Sequence, residues 1–195
     1  GFFDNSGIMP TCLLKITQKI HYLYYIGWSQ RIDVPYHNNL GLMVSKDGGE
    51  SFSKFSEGPV FATSRLEPGY VGTIDIIKNE KSSRYEGYYL SCRNWLEFKG
   101  KMEPVYNIRH AYSIDGIDWT PTENIAIELS EEEGGISQAS ILKTSKGYEM
   151  YFSVRGMHSF RSGSEHSYKI MRASSHDGFK WHRSKTEALG RSTRG

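Results

Sequence analysis

The sequence predicts an all-β chain built as a β-propeller, a fold in which four-stranded antiparallel blades repeat around a central channel. Three observations lead to this prediction. Aromatic residues make up 13% of the 195 residues and glycines number 20, a composition that favours strands and turns. A four-strand pattern recurs along the chain at nearly constant spacing. An Asp-Gly turn falls at the same place in each copy of that pattern.

The first two strands of each copy are short apolar runs. The innermost strand carries the sequence LLK at 13–15, IIK at 76–78 and ILK at 141–143. About ten residues later comes an aromatic strand, which reads YLYYIGW, EGYYLSC and YEMYFSV in the three copies. Tyrosine and β-branched residues of this kind are typical of strands, and no helical periodicity of useful length is present.

The third strand of each copy runs into the Asp-Gly turn. It reads LGLMVS, IRHAYS and IMRASS, and the turns are SKDGGESF, SIDGIDW and SSHDGFKW. Asp-Gly between two strand-like runs predicts a hairpin because glycine adopts positive φ at little cost. The aromatic residue after the turn, Phe52, Trp119 or Trp181, then begins the fourth, outer strand. We interpret these turn residues as scaffold.

These repeats predict one propeller domain over residues 1–195, with units at 4–66, 67–131 and 132–190. A β-sandwich would also have short strands, but it does not require three matching copies in one order. Propellers typically have four to eight blades, whereas about three of an expected five are legible. We therefore expect the chain to be a piece of a longer protein, with further blades on both sides.

Composition and charge argue against several classes of function. The formal charge is +2 with basic and acidic residues interspersed, so we expect no nucleic-acid partner. No apolar run approaches the roughly 18 to 20 residues of a membrane span, and no signal peptide is visible, which favours the cytoplasm over export. Cys12 and Cys92 stand far apart in strand-like runs and are expected to be buried free thiols. We expect neither a metal nor a cofactor, because no motif for either is present.

Three acidic residues share one position in the repeat and are the candidate catalytic residues. Asp4, Glu67 and Glu132 each lie nine residues before the aligned leucine or isoleucine of an inner strand. Neighbouring carboxylates in a channel suit glycoside chemistry, in which one acid protonates the leaving oxygen and a second acts as base or nucleophile. Each acid alone could equally be a turn cap or a solvated surface group.

The loops between the second and third strands, at 27–39, 93–107 and 155–169, are long for hairpins and could carry binding groups. Their aromatic rings could stack on sugars or pack the loops against the blades. Their polar side chains could bind hydroxyls, carboxylates or phosphates, and two arginines in one loop suggest an anionic substituent. The candidate substrate-binding residues are Trp28, Tyr36, His37, Trp95, Glu103, Tyr106, Arg155, Arg161 and Tyr168.

Four stretches of the chain resemble a known family: FFDNSGIMPTCLL, YLYYIGWSQRIDVPYHNNLGLMVSKDGGESF, EPVYNIRHAYSIDGIDW and YKIMRASSHDGFKWHRS. They are similar to the five-bladed β-propeller proteins of the glycoside hydrolase superfamily that includes families 32, 43, 68 and 130. More closely, the chain resembles an uncharacterised glycosyl-hydrolase-like branch often encoded near surface-polysaccharide genes. The resemblance covers all but about the last ten residues.

The resemblance implies a central pocket with three carboxylates: a base, an acid and a third that tunes and orients. By position these are Asp4, Glu67 and Glu132. The chain departs from the family in two respects. The blade that in several of these families precedes Asp4 and carries one catalytic aspartate is absent. A Gln-Ala pair at 138–139 replaces an expected Arg-Pro pair, so Glu133 is the alternative to Glu132.

The resulting hypothesis is a glycoside hydrolase that acts on an oligosaccharide or glycoconjugate through inward-facing carboxylates. One alternative is a non-catalytic glycan-binding propeller. A second is a phosphorylase in which Arg155, Arg161 or His37 holds phosphate. A third is a sialidase-like protein, because SKDGGESF fits the Asp-box form of sialidase propellers. The other two turns are shorter and do not fit it.

Overall fold

The computed structural model describes residues 2–80, 82–157 and 168–189, and within these ranges the chain forms strands and no helix. The prediction of an all-β chain is confirmed. The strands are β1 (Gly7–Lys15), β2 (His21–Gln30), β3 (Tyr36–Ser45), β4 (Ser53–Lys54), β5 (Tyr70–Asn79), β6 (Arg84–Phe98), β7 (Lys101–Ser113), β8 (Thr120–Ile127), β9 (Glu133–Thr144), β10 (Gly147–Gly156), β11 (Lys169–Ser175) and β12 (His182–Arg183). Among the described residues there is accordingly no helix of the length and hydropathy that a membrane span requires.

Successive strands pair antiparallel in groups of four, which we call unit 1 (β1–β4), unit 2 (β5–β8) and unit 3 (β9–β12). Unit 1 is a separate sheet. Units 2 and 3 join in one eight-stranded sheet through a parallel bridge between Tyr106 of β7 and Gly135 of β9. The number of blades in a complete ring and the boundaries of the repeats remain predictions.

The Asp-Gly turns are built by local hydrogen bonds that the sequence dictates. In unit 2 the Ser113 hydroxyl donates to Asp115 at 2.9 Å and accepts the backbone N–H of Gly116 at 2.8 Å. Gly116 has φ +76°, which an L side chain rarely adopts. Ser175 and Gly178 repeat the arrangement in unit 3. Each turn thereby reverses the chain between the third and outer strands.

The same turns join one unit to the next. The buried Tyr24 hydroxyl of β2 donates to the carbonyl of Gly116 at 2.6 Å, and Trp119 packs edge-on against the Tyr24 ring. Tyr88 of β6 repeats the hydrogen bond with Gly178 at 2.6 Å and has an edge-on contact with the tryptophan of that turn. The interpretation of the turn residues as scaffold accounts for both contacts.

The core lies in two layers between the units. The first layer packs β2 and β3 of unit 1 against β5 and β6 of unit 2, and the second packs β6 and β7 against β9 and β10. Cys12 and Cys92 are buried free thiols, as predicted. Burial raises the pKa of each thiol to about 12, so neither is a reactive thiolate near neutral pH.

The inner strands β1, β5 and β9 each contain a bulge, and side chains connect the bulges. The Thr11 hydroxyl donates to the carbonyl of Ile74 and accepts its N–H, both at 3.0 Å. The Thr73 hydroxyl accepts the N–H of Gln138 at 3.2 Å. These hydrogen bonds bring the three inner strands together where a central channel is expected.

Asp75 of β5 adds a third connection among the inner strands. Its Oδ2 accepts the N–H of Ile141 in β9 at 2.6 Å, and its Oδ1 lies 3.8 Å from the Cys12 thiol of β1, which donates to it. Burial raises the pKa of Asp75 above its usual value. One carboxyl group thus contacts both neighbouring units.

Candidate functional site

A cavity of about 400 Å³ lies among the inner strands and receives side chains from all three units. Its aromatic lining residues are Trp28, Tyr36, Tyr70, Tyr106 and Tyr168. Its polar lining residues are Asn38, Thr73, Ser137 and Gln138, and its aliphatic ones are Met9, Ile26 and Leu90. Four of the candidate substrate-binding residues, all of them aromatic, therefore meet at one cavity.

An aromatic wall separates this cavity from a surface groove of about 700 Å³. Tyr36 and Tyr70 face the cavity, and Trp95 contacts both rings from the groove side, with centroids 5.5 and 5.8 Å away. The groove is formed by the β2–β3 connection, Pro68, Gly69 and residues 93–95. The cavity and the polar groove therefore lie on opposite sides of one row of aromatic rings.

His37 and Glu103 lie outside the cavity. His37 lines the groove, its Nδ1 is 3.4 Å from the Asn39 amide nitrogen, and burial together with nearby Arg31 lowers its pKa. At neutral pH this imidazole is uncharged, because its pKa is lowered from 6.5. Glu103 lines a separate groove of about 640 Å³ beside the tip of the β2–β3 connection.

Arg155 supports the cavity wall from behind. Its side chain is fully buried, and its guanidinium donates to the Tyr106 hydroxyl at 2.9 Å and to the Pro104 carbonyl at 2.5 Å. The Tyr106 hydroxyl also lies 3.2 Å from that of Tyr168, and burial raises the pKa of Tyr106. Arg155 thus fixes the ring of Tyr106. Arg161 lies outside the described residues.

Asp4 contacts Tyr25, whose side chain alternates along β2 with that of Tyr24, the residue that contacts unit 2. Its carboxylate accepts a hydrogen bond from the Tyr25 hydroxyl at 3.0 Å and forms an ion pair with Lys54 at 2.6 Å. Burial raises the pKa of Asp4, but the hydrogen bonds from Lys54 and Tyr25 outweigh it, so the pKa is lowered overall. Asp4 is therefore ionised at neutral pH.

Glu67 lies between units 1 and 2 and is fully buried. Its carboxylate accepts hydrogen bonds from Tyr89, at 2.7 Å, and from Ser91. Arg109 lies 3.5 Å away on one side, and Arg93 lies 3.8 Å away on the side of the groove. The Arg93 side chain is 40% exposed, lines the groove and donates to the Leu66 carbonyl, so it lies between Glu67 and the groove.

In the third unit the sequence pattern selected Glu132 with Glu133 as the alternative, and Glu133 is the buried one of the two. The side chain of Glu132 is exposed. Glu133 is buried, accepts two hydrogen bonds from Arg183 at 2.6 and 2.8 Å, and accepts the N–H of Ser130 at 2.9 Å. Burial raises the pKa of Glu133, but the Arg183 and Ser130 hydrogen bonds outweigh it and lower the pKa.

The acids Asp4, Glu67 and Glu133 therefore share one environment in the three units. Each precedes or begins an inner strand and lies near a cation that comes from its own unit. None of these acids, nor Glu132, lines the cavity. The arrangement places a carboxyl group beside a cation near the start of each inner strand, and Arg93 lies between Glu67 and the groove.

Eight of the twelve described lining residues were not among the binding candidates, and two of these eight, Asn38 and Gln138, have unusual surroundings or backbone geometry. Asn38 is only 6% exposed, and its side-chain oxygen has no hydrogen-bond partner among the described residues. Gln138 has φ +54°, a strained conformation for a residue other than glycine. Gln138 stands where the sequence departs from the expected Arg-Pro pair, and that departure was the available signal.

Solved structures share the fold of this chain. They include propeller-type glycoside hydrolases and a phosphorylase, which fit the predicted superfamily. The sequence identities of 14 to 16% make this a likeness of fold alone. No family model matches the chain.

Among particular proteins, an RGII complex of BT0996 matches with TM-score 0.70 and 14% identity over 97% of this chain and 59% of that protein. The GH32 β-fructofuranosidase BmSUC1 of Bombyx mori has TM-score 0.68 and 14% identity, over 94% of this chain and 37% of that protein. A β-1,2-mannobiose phosphorylase of Listeria innocua has TM-score 0.66 and 16% identity, over 96% of this chain and 46% of that protein.

Among curated proteins, the chain is 28% identical over 182 residues to two uncharacterised proteins of Mycobacterium tuberculosis. These are MT1551 of strain CDC 1551 / Oshkosh and Rv1502 of strain ATCC 25618 / H37Rv. The match covers 93% of this chain and 56% of each relative. The chain thus spans about half the length of the curated relatives it matches.

Proposed function

We propose that the chain belongs to a carbohydrate-active protein of the glycoside hydrolase type that binds an oligosaccharide or glycoconjugate at the inner strands. The observation that carries this proposal is the cavity of about 400 Å³ with five aromatic rings from three units. Ligand sites of proteins commonly have about this size and combine apolar walls with a few placed polar groups. Aromatic faces beside amide and hydroxyl groups match the two kinds of surface on a sugar ring.

The adjoining groove extends the same site. A glycan with one residue in the cavity can continue across the aromatic wall toward Trp95 and His37. Arg155 keeps the Tyr106 ring in place, so the cavity wall is fixed before a ligand arrives. Binding here depends on shape and ring stacking, with hydrogen bonds setting the orientation.

For hydrolysis we propose that the repeat-position acids act together, with Glu67 as the central member. Glycoside cleavage needs a proton donor and a second carboxylate that acts as base or nucleophile. The lowered pKa values of Asp4 and Glu133 suit them to the ionised role or to orientation. A glycan in the groove would reach Glu67 once the Arg93 side chain swings aside.

The second candidate function is non-catalytic glycan binding. It is favoured by the observation that each buried repeat-position acid lies beside a cation and that none lines the cavity. In this alternative the carboxylates only anchor the strands, and the cavity alone carries the function.

We further propose that units 1 to 3 are blades of a five-bladed ring, and that the chain represents the uncharacterised branch that it resembles. Sequential four-strand pairing in each unit supports the first proposal. In such a ring Asp4 of unit 1 would face a further blade.

The test is a glycan screen with acid variants. Purified protein is incubated with a panel of oligosaccharides, with and without added phosphate, and products and binding are both measured. Hydrolysis that is lost in Glu67→Gln or Asp4→Asn but kept in the surface variant Glu131→Gln supports the enzyme, and phosphate-dependent cleavage identifies a phosphorylase. Binding without cleavage by the unmutated protein selects the non-catalytic function. A chain that binds no glycan refutes the proposal.

A further inference from the structure

The polar character of the cavity carries information on what it binds. All twelve residues that line it in the described part of the chain are uncharged. The groove beyond the aromatic wall is different, because Arg31, Asp33 and Arg93 contribute charges there. The two compartments of the site therefore offer different environments to a ligand.

Asn38 supplies an acceptor that the fold leaves unused. It lies on β3, is 94% buried, and its side-chain oxygen contacts no donor in the described chain. A buried polar atom without a partner costs free energy, and a ligand hydroxyl that donates to it recovers that cost. Asn38 differs from Asn39 and Asn107, whose oxygens are also unpartnered, in that it lines the cavity, so a ligand hydroxyl there can satisfy its oxygen once the side chain turns toward it.

Gln138 supplies the opposite wall. It lies in the bulge of β9, and its left-handed backbone conformation is held by the hydrogen bond from its N–H to Thr73. Glycine would adopt φ +54° with little strain, so the glutamine side chain is present at an energetic cost. Its exposed side chain lines the cavity with an amide that both donates and accepts.

We propose that the cavity is a subsite for one uncharged glycosyl residue, with Asn38 and Gln138 as its specificity-determining residues. This inference rests on the proposed glycan-binding function. A sugar hydroxyl donates to the Asn38 oxygen, and the Gln138 amide contacts a second hydroxyl. A carboxylate or phosphate placed there would lose its hydration without gaining a cation from the described lining residues. Anionic substituents are therefore directed to the groove or excluded.

The test compares neutral and charged versions of one ligand. Calorimetric titrations use trisaccharides of glucose, galactose or mannose, and the same trisaccharides oxidised at C6 of the terminal residue to the uronic acid. We expect at least one neutral trisaccharide to bind at least about tenfold more tightly than its oxidised form. We expect Asn38→Leu and Gln138→Gly each to weaken neutral binding by roughly five- to tenfold.

Two features of the variants separate binding from folding. Asn107 is as buried as Asn38 and its side-chain oxygen also has no partner among the described residues, but it does not line the cavity, so Asn107→Leu is the matched control. Gln138→Gly relieves the strained φ and should unfold at the same or a higher temperature while binding more weakly. Weaker binding from a less stable protein would instead indicate a structural role for Gln138 and refute its assignment.

The possible outcomes test the neutral subsite separately from the proposed glycan-binding function. Equal or tighter binding of the oxidised trisaccharides overturns the neutral subsite and leaves glycan binding intact. Unchanged binding in both Asn38→Leu and Gln138→Gly overturns their assignment as specificity residues. A protein that binds no saccharide of any kind overturns the proposed function, and the subsite with it.

Discussion

Replacing Glu133 by glutamine tests whether the repeat-position acid of unit 3 anchors the fold. Glu133 accepts two hydrogen bonds from Arg183 and one from the Ser130 N–H. Its side chain is 10% exposed, whereas that of Arg183 is 25% exposed. Breaking a buried ion pair costs about 3–5 kcal/mol. In the variant Arg183 remains partly solvated and keeps its hydrogen bond to the Glu128 carbonyl. We therefore expect the free energy of unfolding to fall by about 2 kcal/mol.

The pH dependence of this loss follows from the lowered pKa of Glu133. A carboxyl whose pKa is lower in the folded state stabilises the protein fully above the unfolded-state pKa, near 4.5, and stops doing so as the pH falls through the folded-state pKa. The difference in unfolding free energy between wild type and Glu133→Gln should therefore shrink below about pH 4.5.

Urea unfolding followed by circular dichroism from pH 7 to pH 3 measures this difference. Glu132→Gln is the matched control. The side chain of Glu132 is exposed, so this substitution should change the free energy of unfolding by less than about 0.5 kcal/mol. A Glu133→Gln effect no larger than that of the control, or one that does not vary with pH, would refute the anchoring role.

Two further substitutions probe the connections between units. Asp75→Ala removes the acceptor of the Ile141 N–H and should cost about 1–3 kcal/mol at pH 7, whereas Asp75→Asn keeps an oxygen there and should cost less than about 1 kcal/mol. Because burial raises the pKa of Asp75, this group stabilises most below its unfolded-state pKa near 3.8 and loses that effect as the pH rises through the folded-state pKa. Urea titrations from pH 4 to 8 should show this pH-dependent part of the free energy of unfolding in wild type and not in Asp75→Asn. Equal losses of stability in Asp75→Ala and Asp75→Asn would contradict the role of the acceptor oxygen. Tyr88→Phe removes the 2.6 Å hydrogen bond to the Gly178 carbonyl, which keeps the Trp181 Nε1 donor at 3.0 Å, and should lower the free energy of unfolding, measured by thermal unfolding, by about 1 kcal/mol. Tyr151→Phe removes a 3.2 Å hydrogen bond to the Glu149 carboxylate and should cost less. Equal effects would show that the hydroxyl of Tyr88 does not matter.

The fold was predictable because the repeat is encoded locally. Serine, aspartate and glycine build each turn from hydrogen bonds within a few residues, and apolar alternation identifies the strands on either side. Burial of both cysteines followed from the same strand patterns. The sequence contains three copies of this turn-and-strand pattern. Aligning the copies therefore aligned the strands, and with them the three acidic positions.

The candidate site was less predictable because it depends on residues far apart in the chain. Glu132 and Glu133 are indistinguishable within a run of three glutamates, and Arg183, fifty residues later, decides which is buried. Arg155 has the composition of a ligand group, but its burial behind Tyr106 depends on a strand of another unit. Asn38 is an ordinary strand residue until its missing partner is seen.

Cross-strand pairing also explains why the three acids have different cations. Tyr25 pairs with Gly41, and the equivalent Tyr89 pairs with Arg109. Arginine at that position gives Glu67 a cation from the third strand, whereas unit 1 has a glycine there and uses Lys54 of the outer strand. No single-residue motif could have predicted this substitution of one partner for another, because it requires the strand register.

The contacts from Tyr24 to Gly116 and from Tyr88 to Gly178 run in one direction, from the second strand of one unit to the turn of the next. Such a joint is heterologous: one side of each unit donates and the other accepts. Heterologous joints repeat without limit unless the rotation between units closes a ring. A free donor side and a free acceptor side on separate molecules would fit each other, so a chain of such units can polymerise head to tail. In a ring that closes, each donor side would meet an acceptor side, and such filaments could not form.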